Sequence, residues 1–366
     1  MTRHARSAIL RTFGGPVSIE EVEVDDPADN EVLVRTCACG ICHSDLHYRN
    51  GAVTHFPVPS VMGHEAAGIV EKVGKAVTTV REGDKVVACN SIACGTCKQC
   101  IVGRPHLCRN RSAVRRPKGS RGRLAQGDAK MLAFSDLGGL SEYMLLHERA
   151  VVRVDDDTPL DRAALLGCAV LTGMGAVLNT AQVTPGSSVV VFGCGGVGSA
   201  IVQGARIAGA RTIIAVDVNA DKLAAARKFG ATHVVDSSRD NALEAVADIS
   251  SGGTDYAFDA VGRSSLLADC FSALAPRGLA VLVGSIGPGI MLEIEARGLL
   301  AEKRLTGSFM GSNRFQIDIP YYLDLYRQGR LDLDGMISER IGLDGVEDAF
   351  RKMEKNDGLR SVVVFD

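Results

Sequence analysis

Four cysteines lie within fifteen residues of this chain, in the stretch CGTCKQCIVGRPHLC. They are Cys94, Cys97, Cys100 and Cys108. This spacing brings four thiolates within reach of one tetrahedral ion, and four sulfur ligands leave no coordination position open. An iron–sulfur cluster also uses four cysteines, but its spacing continues C-x3-C-P, whereas here the fourth cysteine is followed by Arg109. The stretch therefore predicts a lobe folded around a structural zinc ion.

Length and composition limit the remaining possibilities. A chain of 366 residues is too long for one compact core, so we expect two domains. The net charge of −2 argues against binding to nucleic acid. No run of 18 apolar residues occurs, and the amino-terminal MTRHARSAIL has no apolar signal core, so we expect no membrane partner. Eleven cysteines, of which six are candidate metal ligands, fit a reducing cytoplasm better than a disulfide framework.

The pattern of strands and helices changes along the chain. Residues 1–150 contain short alternating strands separated by turns, with little helical pattern. Between 185 and 285, apolar strands such as SVVVFG and TIIAVD alternate with amphipathic helices, which predicts a doubly wound parallel sheet. Near the end we expect a helix over PYYLDLYRQG, another over VEDAFRKMEK and a closing strand in SVVVFD. The fold class is therefore α/β.

The segment 109–123 carries seven basic residues and no acidic one. Such a run can bind an anionic partner, but charge runs are more often solvated surface. Since the whole chain is slightly acidic, we expect a solvated surface loop here.

A glycine-rich turn follows the strand SVVVFG and begins a helix. In this context G-x-G-x-x-G predicts a dinucleotide site, because the glycines allow a tight turn and the helix start offers N–H groups to a pyrophosphate. Asp217 ends the next strand, where a carboxylate binds the adenosine ribose and repels a 2′-phosphate, so we expect NAD rather than NADP. Lys222 either reaches the same ribose or is a solvated lysine. The residues of the turn are Gly193, Gly195, Gly196, Val197 and Gly198.

Three more candidate metal ligands are scattered: Cys42 in CGICHSD, His64 in GHEAAGIV and Cys168 in LLGCAVLTG. A lone cysteine is more often a small apolar filler than a ligand, so these residues alone carry little weight. Together with the four-cysteine lobe, GCGGVG and Asp217, however, the chain resembles the zinc-dependent medium-chain alcohol dehydrogenases, in particular their liver-type branch, from residue 7 to 366.

The resemblance implies a GroES-like, mostly-β catalytic domain over 1–169 and 312–366, with the zinc lobe at about 89–110, and a Rossmann domain over 170–311. It implies two zinc ions per chain, a catalytic one on Cys42, His64 and Cys168 with an open fourth position, and a structural one in the lobe. Its further catalytic residues are Ser44 and His47 as a proton relay, Asp45 as the partner of His64, and Glu65 near the metal. Its further coenzyme contacts are His43 and Arg360 at the phosphates, and Thr172, Val197 and Val283 around the nicotinamide.

The implied function is the NAD-linked interconversion of alcohols with aldehydes or ketones. Ser44 and Asn90 occupy pocket positions that are often larger in relatives, which favours medium or bulky, apolar or aromatic primary alcohols, with secondary alcohols next. An S-hydroxymethyl thiol adduct of formaldehyde is the alternative substrate, with Arg111 or a neighbour as its carboxylate partner. A non-catalytic NAD-binding protein is the alternative of another class. The resemblance also implies a homodimer rather than a homotetramer, because in this family a long connection from Cys108 to Cys168 accompanies the dimeric branch.

Overall fold

The computed structural model describes residues 3–366, which form two compact units. The first unit comprises Met1–Cys168, Arg314–Asp324 and Ile337–Asp366, and the second comprises Ala169–Asn313 and Leu325–Met336. The first is built mostly of strands, and the second alternates strands with helices.

The strands of the described residues are numbered in chain order. They are β1 (Arg3–Leu10), β2 (Val17–Val24), β3 (Glu31–Gly40), β4 (Ser60–Val61), β5 (Glu65–Val73), β6 (Lys85–Ala88), β7 (Leu124–Gln126), β8 (Ala129–Ala133), β9 (Tyr143–His147), β10 (Val151–Arg153), β11 (Ser188–Phe192), β12 (Thr212–Asp217), β13 (His233–Asp236), β14 (Thr254–Asp259), β15 (Leu274–Leu282), β16 (Arg304–Gly307), β17 (Glu339–Ile341) and β18 (Ser361–Val364).

The helices are fewer and shorter in the first unit. They are α1 (His43–Arg49), α2 (Lys98–Ile101), α3 (Leu160–Ala163), α4 (Ala169–Gly175), α5 (Gly196–Ile207), α6 (Ala220–Phe229), α7 (Ala242–Ser250), α8 (Ser264–Ser272), α9 (Arg297–Leu300), α10 (Phe315–Arg327) and α11 (Val346–Glu354). A π-helical segment, Ala176–Ala181, continues α4. Short 3-10 helices are Pro105–Leu107, Arg111–Val114, Glu148–Ala150, Ala164–Gly167, Asp334–Met336 and Leu343–Gly345.

Two β-structures make up the first unit. Strands β1, β2, β7, β8 and β4 close into a small barrel. A second sheet has the order β10-β6-β5-β3-β18-β17, with β9 also paired to β3. In this sheet β3 is antiparallel to both β5 and β18, and β5 is antiparallel to β6. The carboxyl ends of β3 and β6 therefore lie at the same end of the sheet as the amino ends of β5 and β18.

The second unit contains a six-stranded sheet of order β13-β12-β11-β14-β15-β16, in which every pair is parallel. This is the order of a doubly wound nucleotide-binding sheet, and its reversal point lies between β11 and β14. Strand β11 is an unbroken apolar run because a parallel sheet is covered on both faces. The predicted doubly wound sheet is confirmed.

One segment near the carboxyl terminus differs from the boundary expected from the sequence. Residues 312–366 were all assigned to the first unit, but Leu325–Met336 pack with the second. The reason is a side chain on α5: Gln203 donates to the Asp332 carbonyl at 3.0 Å and accepts from the Asp332 N–H at 2.7 Å. Helix α10 also begins at Phe315, before the expected start at Pro320, and contains this proline within its length.

The basic segment 109–123 is not simply solvated surface, as expected from its charge pattern. Arg116 bonds to Asp25 at 2.6 Å and to Glu31 at 2.7 Å, and Arg123 bonds to Glu31 at 2.7 Å. Arg115 pairs with Asp136 at 2.6 Å. Much of the positive charge of this segment is therefore neutralised by acidic groups of the same chain.

No single helix among residues 3–366 is long and apolar enough to cross a membrane. One bent pair, Leu160–Gly167 with Ala169–Ala181, meets the length and composition criteria, but many of its residues are fully buried inside the protein.

Candidate active site and metal centres

Candidate residues from three separate parts of the first unit converge at one end of its larger sheet. Cys42 follows β3, His64 precedes β5, and Arg360 precedes β18. The register pairs Gly40 with both Glu65 and Val362, so these strand ends lie side by side. The alternation of antiparallel strands thus gathers side chains that the sequence separates by more than 300 residues.

Cys42, His64 and Cys168 form a buried cluster whose sulfur and ring-nitrogen atoms lie within 4.8 Å of one another. The two sulfurs are 4.0 Å apart. Tetrahedral zinc with bonds of about 2.3 Å to sulfur requires a separation of about 3.8 Å between two thiolates, so the cluster fits that ion. The Cys168 thiol donates to the Cys42 sulfur, which lowers the pKa of Cys42 well below its ordinary value. Three ligands leave the fourth position of a tetrahedral ion open.

Asp45 connects the parts of this cluster. Its side chain is fully buried on α1, and one carboxylate oxygen contacts His64 Nδ1 at 3.1 Å. The same oxygen accepts the Gly63 N–H at 3.2 Å, and the other oxygen accepts the Cys42 N–H at 3.0 Å. One carboxylate therefore orients the imidazole and fixes the backbone beside two of the three candidate ligands.

Close packing positions the candidate ligands further. Gly63 has a φ of 91°, and a side chain there would meet the Leu140 backbone nitrogen at 2.5 Å, so glycine is required before His64. A side chain on Gly167 would lie 2.5 Å from the Ala88 carbonyl, so this glycine lets the segment before Cys168 approach β6. These close approaches explain why glycine precedes two of the three ligands.

Phe134 is a contact that sequence reasoning missed. Its ring packs edge-on against the His64 ring with centroids 5.5 Å apart, and it stacks on Tyr48 at 4.3 Å. The two residues that follow it, Ser135 and Asp136, both adopt positive φ. Nothing in the sequence around Phe134 distinguishes it from an ordinary core phenylalanine.

Glu65 and Arg360 form a buried ion pair beside the cluster. Their closest nitrogen–oxygen distance is 3.7 Å, and both side chains are nearly inaccessible to solvent. Burial raises the pKa of Glu65 to about 8, against the opposing charge of Arg360. The guanidinium also donates to the Ile41 carbonyl at 2.7 Å. Arg360, a predicted phosphate contact, is thus engaged with a carboxylate near the cluster.

Three further predicted site residues lie on α1, and one of them contacts the cluster. Ser44 Oγ lies 3.7 Å from Cys42 Sγ. His47 lies one turn further along the helix and is half-buried, whereas His43 is exposed. Ser44 and His47 are three residues apart, and side chains at this spacing share a helix face.

The other cysteine cluster has the geometry of a closed tetrahedral site. Sulfur–sulfur distances are 3.9 Å for Cys94 and Cys100, 3.6 Å for Cys97 and Cys100, and 3.9 Å for Cys97 and Cys108. These values match the separation of about 3.8 Å expected around zinc. The N–H and hydroxyl groups of Thr96 and the N–H of Cys97 lower the pKa of Cys94 to about 6, which favours the thiolate that a metal requires.

Arg149 attaches the lobe to the rest of the first unit. Its guanidinium donates to the Ala93 carbonyl at 3.4 Å and to the Cys94 carbonyl. A side chain on Gly95 would meet the same guanidinium at 2.6 Å. This arginine was not predicted, because a basic residue 55 positions away gives no signal of a backbone contact.

The glycine turn in the second unit is tightly folded and open on one face. Gly193 has a φ of 92°, and a side chain on Gly198 would lie 1.7 Å from the Gly193 carbonyl. A side chain on Gly195 would meet nothing within 4 Å, so this face of the turn is open to a ligand. The turn follows β11 and leads directly into α5, which begins with Gly196 and Val197.

Asp217 lies at the end of β12, adjacent to this turn. Its carboxylate accepts the Cys194 N–H at 2.7 Å and the Asn219 N–H at 2.9 Å. Two backbone donors therefore hold the carboxylate in one orientation. Lys222 is only 5% exposed. Of the two alternatives predicted for it, a ribose contact or a solvated lysine, the second is therefore wrong.

Two other predicted coenzyme contacts also belong to the second unit. Thr172 is a buried residue of α4, next to Gly173, where a side chain would lie 2.5 Å from the Val197 carbonyl. Val283 follows β15, and its N–H donates to the Asp259 carbonyl at 2.9 Å.

Known proteins with the same organisation match both units. Residues 28–156 match the alcohol dehydrogenase GroES-like domain, and residues 196–327 match the zinc-binding dehydrogenase domain. The S-(hydroxymethyl)glutathione dehydrogenase of Paracoccus denitrificans is 34% identical, over 98% of this chain and 99% of its own length. The chain belongs to the zinc-binding alcohol dehydrogenase family. Its fold is accordingly a GroES-like, mostly-β domain with a Rossmann domain, and it is an NAD-dependent oxidoreductase that uses zinc.

Solved structures of other dehydrogenases agree with this membership. An alcohol dehydrogenase zinc-binding domain protein from Burkholderia ambifaria superimposes with a TM-score of 0.95 at 34% identity, and both chains are covered completely. The benzyl alcohol dehydrogenase of Acinetobacter calcoaceticus superimposes with a TM-score of 0.93 at 30% identity, again over both complete chains.

Proposed function

We propose that Cys42, His64 and Cys168 hold the catalytic zinc of this dehydrogenase, and that the four lobe cysteines hold a structural zinc. The observation that carries the proposal is the buried three-ligand cluster, in which Asp45 orients the imidazole of His64 at 3.1 Å. Three ligands suit a catalytic ion because they leave room for substrate, whereas four thiolates saturate a structural ion.

The residues around the cluster define how protons are handled. When bound, zinc supplies Lewis acidity towards the alcohol or carbonyl oxygen, and NAD supplies the hydride acceptor. Ser44 accepts the proton of the alcohol at its Oγ, and His47, one helical turn away and partly exposed, passes it to solvent. Glu65 lies beside the cluster, paired with Arg360, and both of its oxygens lack a hydrogen bond among the described residues.

The second unit provides the coenzyme site of the proposal. The open face at Gly195 receives the pyrophosphate, and the start of α5 stabilises its charge. The fixed carboxylate of Asp217 binds the adenosine ribose and excludes a 2′-phosphate, with Lys222 as a second ribose contact. Thr172, Val197 and Val283 flank the nicotinamide, and His43 contacts the pyrophosphate.

The substrates we propose are medium or bulky, apolar or aromatic primary alcohols, followed by secondary alcohols. Serine rather than a larger residue at position 44 leaves space beside the reacting carbon. The full-length similarity to a benzyl alcohol dehydrogenase supports an aromatic substrate.

A thiol adduct of formaldehyde is the second candidate substrate, and one residue favours it. Arg111 forms no ion pair among the described residues. Burial raises the pKa of the Cys89 thiol to about 12, and the positive charge of Arg111 opposes that rise. Arg111 begins the short 3-10 helix Arg111–Val114, three residues after the last lobe cysteine. An unpaired guanidinium there suits a carboxylate of the thiol, and the Paracoccus relative bears the name of such an enzyme.

The remaining features of the proposal concern assembly and location. Strand β16 is an edge of its sheet and is exposed along its length, with Leu300 and Phe309 exposed nearby at 86% and 52%. An open edge with apolar neighbours supports a homodimer. Light scattering tests this, because a dimer has twice the chain mass of 38.6 kDa. All eleven cysteines are free, which supports the cytoplasm.

The test is NAD reduction by the zinc-loaded protein with ethanol, hexanol, benzyl alcohol, cyclohexanol, and formaldehyde with and without glutathione. We expect turnover of hexanol and benzyl alcohol without thiol. Ser44→Ala should abolish most of this activity while two zinc ions per chain remain, and Ser44→Thr, which keeps the hydroxyl, should retain it. Activity restricted to the glutathione adduct would favour the second candidate. Inactivity on every substrate with both zinc ions present would favour a non-catalytic NAD-binding protein.

A further inference from the structure

Helix α1 carries the residues proposed to handle the proton, yet it is too short to be stable alone. It has seven residues, whereas isolated helices shorter than about 12–15 residues are marginal in water. Its position therefore depends on contacts with the rest of the first unit. Asp45 makes such contacts at the amino-terminal end, with the His64 ring at 3.1 Å and the Gly63 N–H at 3.2 Å.

Arg49 makes a second set of contacts, at the carboxyl-terminal end of α1. Its guanidinium donates to Glu347 at 2.6 Å and to Glu354 at 2.9 Å, and both acceptors lie on α11. The guanidinium carbon also lies 5.7 Å from the centre of the Phe350 ring of the same helix. The side chains of Arg49 and Glu347 are 11% and 19% exposed, so water screens this pair less than it screens a surface ion pair.

Hydrogen bonds to the start of the chain extend this group of contacts. The other carboxylate oxygen of Glu347 accepts the Val17 N–H of β2 at 3.0 Å. The carbonyl of Arg49 accepts the Gly14 N–H, in the turn between β1 and β2, at 2.6 Å. The end of α1 is therefore attached to α11 and to the amino-terminal strands together.

The two relay residues lie in different turns of α1. Ser44 lies in the first turn, which Asp45 holds by accepting the Cys42 N–H at 3.0 Å. His47 lies in the last turn, two residues before Arg49. Because helix ends fray unless other groups hold them, the contacts of Arg49 bear mainly on His47.

We propose that Arg49 is a positioning residue for the proton relay, and that its pairing with α11 holds His47 within reach of Ser44. The inference rests on the function proposed above and adds a residue to its relay. Arg49 acts through His47 and not by contact with the substrate. Proton transfer needs its partners within hydrogen-bond distance, so a small displacement of His47 lowers the rate.

A double-mutant cycle separates this role from a general effect on stability. Arg49→Met removes the charge and keeps an apolar stem, Arg49→Lys keeps the charge, and His47→Ala removes the group on which Arg49 acts. The measured quantity is the rate of NADH formation in a single turnover, with the substrate of the panel above that wild type oxidises fastest, because this rate excludes product release. Lys352→Met is the matched control, since it removes an ion pair that joins α11 to Glu339 of β17 instead of to α1.

We expect His47→Ala to lower the single-turnover rate by about tenfold or more, and Arg49→Met to lower it by about five- to tenfold. In the His47→Ala background, Arg49→Met should lower the rate by less than about twofold, because the group that it positions is already absent. Arg49→Lys should recover most of the rate, and Lys352→Met should leave it unchanged. Glu347→Gln weakens the same pair without removing Arg49, and it takes the place of Arg49→Met in the cycle if that variant does not fold.

Two measurements do not depend on activity. Hydrogen exchange followed by mass spectrometry should be faster on the order of tenfold in the last turn of α1 in Arg49→Met. Titration with a chromophoric chelator should release both zinc ions of this variant as in wild type, because Asp45 still holds the first turn.

Two results would overturn the inference while the proposed function stands. One is an equal loss of rate from Arg49→Met with and without His47, which would show that Arg49 acts on stability or on another group. The other is release of one zinc ion at a lower chelator concentration in Arg49→Met, which would show that Arg49 supports the ligand cluster instead. If His47→Ala itself leaves the rate unchanged, the proposed relay fails, and this inference fails with it.

Discussion

Substituting Asp45 by asparagine tests the organisation of the candidate catalytic site with little change of shape. The carboxylate is fully buried and has three partners: the His64 ring at 3.1 Å, and the N–H groups of Cys42 at 3.0 Å and Gly63 at 3.2 Å. An asparagine retains one acceptor oxygen but places an NH2 group at the other. If the oxygen stays with His64 and Gly63, the NH2 group faces the Cys42 N–H, and two donors oppose each other.

The magnitude follows from these hydrogen bonds. Those to a charged group contribute about 1.5–3 kcal/mol each, and those of a neutral amide about half as much. Because the substitution removes the bond from Cys42 and weakens the other two by about half, we expect the free energy of unfolding of the zinc-free Asp45→Asn protein to fall by about 3–6 kcal/mol. Groups that orient a ligating histidine typically contribute about 10–100-fold to metal affinity. We therefore expect zinc affinity to fall by about that factor at one of the two sites.

Competition with a chromophoric chelator measures both zinc ions in one titration. We expect Asp45→Asn to release one zinc ion per chain at about 10–100-fold lower chelator concentration, with the lobe zinc unaffected. Asp344→Asn is the matched control, because its side chain is 75% exposed and should leave both release curves unchanged. Equal release curves for wild type and Asp45→Asn would refute the role assigned to this carboxylate, and release of both ions together would show that the variant is misfolded.

Three further variants test other parts of the structure. Cys97→Ala should remove one zinc ion per chain and lower the Tm, because it opens the lobe; a stable variant with two zinc ions would contradict the lobe assignment. Asp217→Ala should raise the ratio of NADP to NAD efficiency, and an unchanged ratio would assign coenzyme choice to another group. Burial alone would raise the pKa of Glu31, but Arg116 and Arg123 lower it further, so the net pKa is below the ordinary value of 4.5. The ionised carboxylate therefore stabilises the fold at pH values above 4.5. Glu31→Gln should therefore destabilise the protein by about 3 kcal/mol at pH 7, and the difference should shrink as the pH falls through the lowered pKa; a difference independent of pH in urea unfolding would contradict this.

Local signals in the sequence were sufficient for the parts of the fold that are local in the chain. The lobe cysteines lie within fifteen residues, and the distances between their sulfurs match a zinc site as the spacing suggested. The alternation of strands and helices between 185 and 285 predicted the parallel sheet, because strands such as β11 are largely apolar. The Gly193–Gly198 turn has the positive φ and close approach that its glycines implied.

Long-range contacts could not be predicted in the same way. Cys42, His64 and Cys168 carry no mutual spacing signal, and only the family resemblance connected them before the sheet register did. The basic segment appeared solvated because its acidic partners, Asp25 and Glu31, lie about 90 residues earlier in the chain. The contacts of Phe134 with His64 and of Gln203 with Asp332 likewise depend on the packing of distant segments.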